Sequence, residues 1–266
     1  MAKITQKIIV ITGGTSGIGK KLVEFYSREN TVINLSRSCV DDERNIKCDV
    51  SDLDDVKNAF NLIKERFGRI DLLVNNAGYG VSGAVEHLTD EQVEHQFSVN
   101  FMGVYRCCKY ALPLMDKGAK IVNISSACAI FPLPFRSMYC ASKAAVSMLS
   151  HALREEVRPY GISVTAICPG DIKTEFTKNR VKNFDTSERY GERIRKADEH
   201  ISKREHKRMS VDYASKKIIS IINKKRFKPF YIVGKKYKLL YTLYRVFPLS
   251  LILSATGKMF APKEKK

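Results

Sequence analysis

Apolar residues fall in short unbroken runs through the first two-thirds of the chain. The clearest are IIVIT after Lys7, TVINL from Thr31, LLVN from Leu72, KIVNI from Lys120 and SVTAI from Ser163. Each is rich in Val, Ile or Leu, too short for a helix, and lacks the strict alternation of a strand with one wet face. Such runs predict strands buried on both sides. Helical stretches separate them: 17–29, 52–68 with an Asp-rich start, 90–116 and 138–158. Acidic residues in a first turn complement the helix dipole, which strengthens the reading at 52–55. Strands alternating with helices predict an α/β fold with a single doubly wound parallel sheet. Ligands of such sheets bind beyond the C-terminal ends of the strands. The Gly- and Asn-rich motifs of this chain all fall at that edge.

The pattern changes after residue 172. Residues 173–209 are polar and basic, with no clear strand and with Phe176, Phe184, Tyr190 and Ile194 interspersed. Residues 211–223 predict an amphipathic helix and FKPFYIVG a last strand. The segment 235–260 then carries Leu240, Tyr244 and Phe247 at helical spacing, is interrupted by Pro248, and continues apolar through Leu253. Arg245 and Pro248 within about 17 residues argue against a membrane span. Two readings stand for this apolar stripe. It packs on its own domain or on a partner subunit, or residues 237–260 rest on an anionic membrane surface flanked by lysines. The organisation is therefore a doubly wound domain over 1–234, including a basic substrate loop at 173–209, and a basic, apolar C-terminal extension over 235–266.

Charge sharpens this division. The chain holds 46 Lys and Arg against 28 Asp and Glu, a net +18. Residues 1–172 contribute 20 basic and 19 acidic groups, so nearly all the excess lies in the last third. Such a field favours anionic partners. No nucleic-acid recognition motif accompanies it, so nucleic acid is not expected as a partner. The seven cysteines are scattered without a C-x-x-C, and the five histidines are dispersed. No metal is expected, and a reduced, cytoplasmic setting is. The N-terminal apolar run is too short for an export signal.

Two motifs carry candidate chemistry. T-G-G-T-S-G-I-G at 12–19 follows a strand and opens a helix. Gly13 permits a tight turn, while Gly17 and Gly19 let a pyrophosphate approach the helix N-terminus; a plain turn is the alternative. The spacing differs from G-x-G-x-x-G. In Y-C-A-S-K, Tyr139 and Lys143 share one helix face. A neighbouring cation favours a phenolate, which would make Tyr139 a usable proton donor and acceptor; a solvated surface pair is the alternative.

Read together, T-G-x-x-x-G-I-G at 12–19, N-N-A-G at 75–78, I-S-S at 124–126, Y-x-x-x-K at 139–143 and P-G at 169–170 resemble the short-chain dehydrogenase/reductase family. The resemblance covers roughly residues 5–175 and extends more loosely to about 234. It implies a Rossmann dehydrogenase domain and a catalytic tetrad of Asn100, Ser126, Tyr139 and Lys143. Ser126 is selected over Ser125 because the family's serine stands thirteen residues before its tyrosine. The implied roles are proton transfer by Tyr139, pKa lowering and ribose binding by Lys143, substrate-oxygen binding by Ser126, and a water held by Asn100. Implied cofactor contacts are Gly13, Thr15, Ser16, Gly17, Ile18 and Gly19 in the first turn and Ser36 and Arg37 after the second strand. Further contacts are Asp49 and Val50, then Asn75, Asn76, Ala77 and Gly78, and lastly Pro169, Gly170, Ile172 and Thr174, together with Tyr139 and Lys143 themselves. No acid ends the second strand and Arg37 follows it, so NADP(H) is expected over NAD(H).

The long basic loop suits a bulky substrate. The C-terminal extension resembles that of relatives acting on steroids, retinoids or other lipids. The resulting expectation is interconversion of a secondary alcohol and a ketone on a bulky apolar molecule, with or without an anionic group, best matched by a hydroxysteroid or bile acid. A homo-oligomer and a peripheral membrane contact are the expected assemblies. A 3-oxoacyl thioester reductase served by an acyl-carrier protein is the nearest alternative, and a non-catalytic cofactor- or lipid-binding protein the alternative from another class.

Overall fold

A computed structural model describes residues 4–183, 189–203 and 208–260. In it β1 (Ile8–Thr12), α1 (Gly17–Tyr26), β2 (Thr31–Ser36), β3 (Asn45–Lys47), α2 (Leu53–Phe67) and β4 (Leu72–Asn75) follow one another, then β5 (Val81–Ser82), α3 (Asp90–Phe97), α4 (Gly103–Ala111) and β6 (Lys120–Ile124). The second half holds α5 (Ser137–Val157), β7 (Ser163–Pro169), α6 (Glu175–Lys178), β8 (Val181–Lys182), α7 (Arg193–Lys203), α8 (Val211–Ile222), β9 (Phe230–Val233), α9 (Lys235–Val246) and α10 (Leu249–Phe260). Seven strands form one parallel sheet in the order β3-β2-β1-β4-β6-β7-β9. The order reverses between β1 and β4, so the crevice of a doubly wound sheet opens beyond the ends of those two strands.

The continuous apolar strands are explained by layers on both faces. In β1, Val10 enters a core shared with α2, α4 and α5, through Val56, Phe60, Cys107 and Val146. Its neighbours Ile9 and Ile11 enter the opposite core with Leu22, Tyr26 and Ile218 of α1 and α8. Each such side chain contributes about 1.5–3 kcal/mol by leaving water. The helix starts are capped as the sequence implies. Asp52 accepts from the backbone N–H groups of Asp54 and Asp55, and Thr89 forms a capping box with Gln92.

Two expectations are corrected. The stretch 90–116 is not one regular helix. At Ser98–Met102 the chain widens, and the Gly103 N–H bonds the Ser98 carbonyl five residues back; such bulges are frequent at functional sites. The loop 173–209 is not strandless. Val181 and Lys182 pair in parallel with Val81 and Ser82, and α7 follows. A two-residue strand has no periodicity to read, because its partner 100 residues away defines it. Phe184 lies outside the described residues.

The C-terminal helices fold back over the sheet edge. The Tyr237 hydroxyl donates to Asp171 Oδ2 at 2.7 Å. The Tyr241 ring meets Phe230 at 5.3 Å, and Tyr244 meets Phe131 at 5.7 Å. Leu239, Val246 and Leu249 stay exposed. Among the described residues no helix is long and apolar enough to cross a membrane.

Candidate active site

The first turn is shaped by two glycines. Gly13 has φ +67°, and a side chain there would strike Ala77 Cα at 3.0 Å. A side chain at Gly19 would meet the Gly13 carbonyl oxygen at 2.1 Å. Gly19 therefore lets α1 pack onto the turn, and it is not part of the cavity wall. The turn is tied down from two strands. Asn34 of β2, buried within the sheet, accepts from the Gly14 N–H at 2.9 Å. Asn76 donates to the carbonyls of Thr12 and Gly13, both at 3.1 Å. The Thr12 hydroxyl accepts from the N–H groups of Asn76 and Ala77, at 2.9 Å each.

Above this edge lies one cavity of about 1570 Å³. Gly13, Thr15, Ser16, Gly17 and Ile18 line one end of it, with Ser36, Arg37, Asp49 and Val50 beside them. Asn76, Ala77, Gly78, Pro169, Gly170, Ile172 and Thr174 continue the wall to Ser126, Tyr139 and Lys143. These residues, drawn from six strand ends and from α5, fit an extended dinucleotide lying across the β1/β4 crevice: backbone at a helix N-terminus at one end, hydroxyls and a cation at another. Asn75 is placed elsewhere. It is buried, and its amide donates to Asn123 Oδ1 at 2.8 Å inside the sheet.

The four tetrad residues converge from three places, the widened turn, the end of β6 and α5. Lys143 is 4% exposed, and its ammonium donates to the Ile124 carbonyl at 3.0 Å. Asn100, fully buried in the widened turn, accepts from the Tyr79 N–H at 2.8 Å. It donates to the Tyr79 carbonyl at 2.9 Å and to the Ser142 hydroxyl at 3.0 Å. Both amide hydrogens of Asn100 are thus committed, and it fixes the loop after β4 from behind the wall. Ser125 turns its hydroxyl to the Lys143 carbonyl at 2.8 Å. Ser126 instead accepts from the Cys128 N–H, and its hydroxyl favours the ionised form of the Tyr139 phenol.

The electrostatics differ from the simple Tyr–Lys picture. The Tyr139 phenol stands above its ordinary value. Desolvation in the cleft is the largest cause and the Cys128 thiol adds to it. The Ser126 hydroxyl and the charges of Arg180 and Arg136 oppose it. Lys143 is absent from the groups that move it most. Burial pushes the Lys143 ammonium itself down to about 8. At neutral pH the phenol is protonated, which is the form that can give a proton to a carbonyl oxygen.

Several residues at this wall were not legible as motifs. Arg136 begins α5 one turn before Tyr139. Phe176 of α6 lies 5.8 Å from the Tyr139 ring, and Arg180 follows on the same loop. Tyr237, Leu240, Leu243, Tyr244, Phe247 and Leu251 bring α9 and α10 to the far end of the cavity. The lone signal in the sequence was the helical spacing of Leu240, Tyr244 and Phe247.

The comparisons agree with this geometry. The family described as short chain dehydrogenase matches residues 7–185. A 3-ketodihydrosphingosine reductase of Bacteroides thetaiotaomicron is 41% identical over 180 residues, which cover 65% of this chain and 67% of that protein. A 3beta-hydroxysteroid dehydrogenase of Mediterraneibacter gnavus is 34% identical over 205 residues, covering 70% and 73%. Among solved structures, a short chain dehydrogenase/reductase from Burkholderia phymatum in complex with NAD superposes with a TM-score of 0.79 over 100% of this chain and 99% of that one. At 20% identity that last likeness bears on the fold alone. With a family match spanning most of the doubly wound domain and a seven-stranded sheet that carries Tyr139 and Lys143 to the crevice, the chain belongs to the short-chain dehydrogenases, a family of oxidoreductases.

Proposed function

We propose that this protein is an NADP(H)-dependent oxidoreductase that interconverts a ketone and a secondary alcohol on a bulky apolar lipid. A nicotinamide, when bound, supplies or takes the hydride. The chain's own residues handle the proton and the developing charge. Tyr139 gives its phenolic proton to the carbonyl oxygen, Ser126 holds that oxygen by a hydrogen bond, and Lys143 keeps a positive charge on the wall beneath them. Asn100 acts by clamping Tyr79.

The observation that carries the reading is the shape of the cavity. It runs without a break from Tyr139 to an apolar end built by Leu240, Leu243, Tyr244, Phe247, Leu251 and Ile252. A short ketone would leave that end filled with water, whereas a steroid or a long aliphatic chain would cover it. The exposed leucines of α9 and α10 at the mouth form the entry side for an amphiphile. A relative named for a hydroxysteroid and one named for a long-chain 3-keto amphiphile support the two substrate shapes.

NADP(H) is favoured by the end of β2. Thr15 Oγ1 lies 3.0 Å from Ser36 Oγ and 3.1 Å from Ser38 Oγ, and Arg37 sits between those serines with its guanidinium largely exposed. Three hydroxyls and a cation suit a 2′-phosphate. The counter-charge on Arg37 is Asp49, at 3.7 Å. Replacement of Arg37 by Asp is expected to raise KM for NADPH about 10- to 100-fold while raising KM for NADH far less. Equal loss with both cofactors would remove the 2′-phosphate assignment.

The substrate reading is tested with a panel of hydroxysteroids, bile acids, long-chain keto amphiphiles, acetoacetyl thioesters and short ketones, each assayed with both cofactors. The expected result is turnover concentrated on the bulky apolar members and at least tenfold in favour of NADP(H). Equal kcat/KM for short ketones, or selective turnover of the thioesters, would overturn it.

A further inference from the structure

Two cations, Arg136 buried and Arg180 half-buried, line the cavity with Tyr139, and each has a buried nitrogen without a hydrogen-bond partner among the described residues. Arg136, the residue preceding α5, is 6% exposed. Its Nη2 is buried and has no hydrogen-bond partner; the nearest carboxylate, Asp198 Oδ1, stands 4.0 Å away. Arg180 comes from the loop between α6 and β8, and its buried Nη1 likewise has no hydrogen-bond partner. Both residues line the cavity together with Ser126 and Tyr139. Asp198 is already committed to Lys182, whose ammonium donates to Oδ2 at 2.8 Å.

Among the described residues the carboxylates near these guanidiniums are Asp198, shared with the exposed Lys182, and Asp171, which lines the cavity and accepts from the Tyr237 hydroxyl. The Cys128 thiol beside them is held below its ordinary value, first by Cys140 and also by Arg136. Uncompensated buried charge costs several kcal/mol, and such groups are normally paired. The local backbone is built to hold this arrangement. Phe135, next to Arg136, has φ +61°, and its carbonyl accepts from the Gly83 N–H at 2.9 Å. The Val181 N–H bonds the Gly80 carbonyl at 3.0 Å, which anchors the segment that follows Arg180. A strained segment and a paired one thus hold these two guanidiniums in the cavity wall that also carries the Tyr139 phenol.

We propose that Arg136 and Arg180 form a receptor for a carboxylate carried by the substrate close to the reacting carbon, so that the enzyme acts on long-chain oxo and hydroxy acids. The inference rests on the oxidoreductase reading above and narrows its substrate class. The carboxylate supplies the missing counter-charge through the planar fork of the guanidiniums, and the aliphatic tail runs to the apolar end under α9 and α10. The same pair repels an amphiphile that carries an ammonium beside its ketone. A bile acid reacting at its ring would place its carboxylate too far away to use it.

The test compares 2-, 3- and 4-oxo acids of about twelve carbons with their methyl esters and with a long-chain amino ketone, in the wild type and in Arg136→Gln, Arg180→Gln and Arg180→Lys. For at least one oxo acid, kcat/KM is expected to exceed that of its ester by about 10- to 100-fold. Each glutamine variant should bring that ratio close to one, and Arg180→Lys should restore part of it. Circular dichroism and cofactor affinity report whether the variants fold. Calorimetric binding of dodecanoate is measured alongside, because it does not depend on turnover. If no ketone is reduced but dodecanoate binds the wild type about tenfold more tightly than the glutamine variants, the receptor stands and the oxidoreductase reading falls. If esters or the amino ketone match the acids in the wild type, or if dodecanoate binds all variants alike, the receptor is refuted.

Discussion

Replacing Tyr139 by phenylalanine should lower kcat by about 10³-fold or more while leaving the affinity for the cofactor within a factor of a few. The substitution removes one oxygen and keeps the ring, so the contact with Phe176 at 5.8 Å survives. What disappears is the group that can protonate a carbonyl oxygen, and no neighbour replaces it. The Ser126 hydroxyl is an accepting partner of the Cys128 N–H, and the Lys143 ammonium is held on the Ile124 carbonyl. The phenol's raised pKa gives the test a second reading. In the reductive direction the protonated form is present across neutral pH, so the wild-type rate should not fall before the alkaline range. Steady-state kinetics in both directions, with cofactor titration, check the result. A variant that keeps a tenth of wild-type kcat would show that the proton comes from elsewhere.

Lys143→Met carries the second large effect, and it acts on two observables. The activity is expected to fall about 10²- to 10³-fold, because the substitution removes a cation from the cavity wall that carries Ser126 and Tyr139. Stability should respond with a definite sign. The folded-state pKa of Lys143, about 8, lies below the ordinary lysine value of 10.5, and burial is the largest cause. Between those two values the unfolded chain binds more protons than the folded protein, so stability contributed by this group rises with pH through that window. Below about 8 the cost of burying the ammonium is present in full. The methionine variant has no such group, so its stability relative to wild type should be most favourable near neutral pH and decline as pH rises from 8 towards 10.5. The Ile124 carbonyl left without its donor costs on the order of 1–3 kcal/mol at every pH, which shifts the whole difference without changing its slope. Denaturant melts of both proteins at several pH values measure that slope. A difference independent of pH would mean that the ammonium is not desolvated in the fold.

The parallel sheet was legible because buried strands need no alternation. IIVIT, TVINL, LLVN, KIVNI and SVTAI are apolar on both sides, and a chain can satisfy that only by covering both faces with the helices between them. The small elements escaped for the opposite reason. Val181 and Lys182 become a strand through pairing with Val81 and Ser82, and the widened turn at Ser98–Met102 depends on Asn100 reaching the backbone of Tyr79. Local pattern cannot report a partner that lies far away in sequence. Gly19 illustrates the same limit within a motif: the sequence located the glycine, while the packing against the Gly13 carbonyl assigned its task.

Sequence by itself determined the layered sheet, the order of the motifs along its C-terminal edge, and the helical spacing that puts Tyr139 and Lys143 on one face. These are consequences of hydrophobic periodicity and short-range geometry, which neighbouring residues fix. Only the tertiary structure decided that α9 and α10 lengthen the cavity, that Arg136 and Arg180 line it together with the phenol, and that desolvation raises Tyr139 while depressing Lys143. Those properties depend on which distant segments exclude water from a group and which charges they leave beside it, and exclusion of water is a property of the packed assembly of elements.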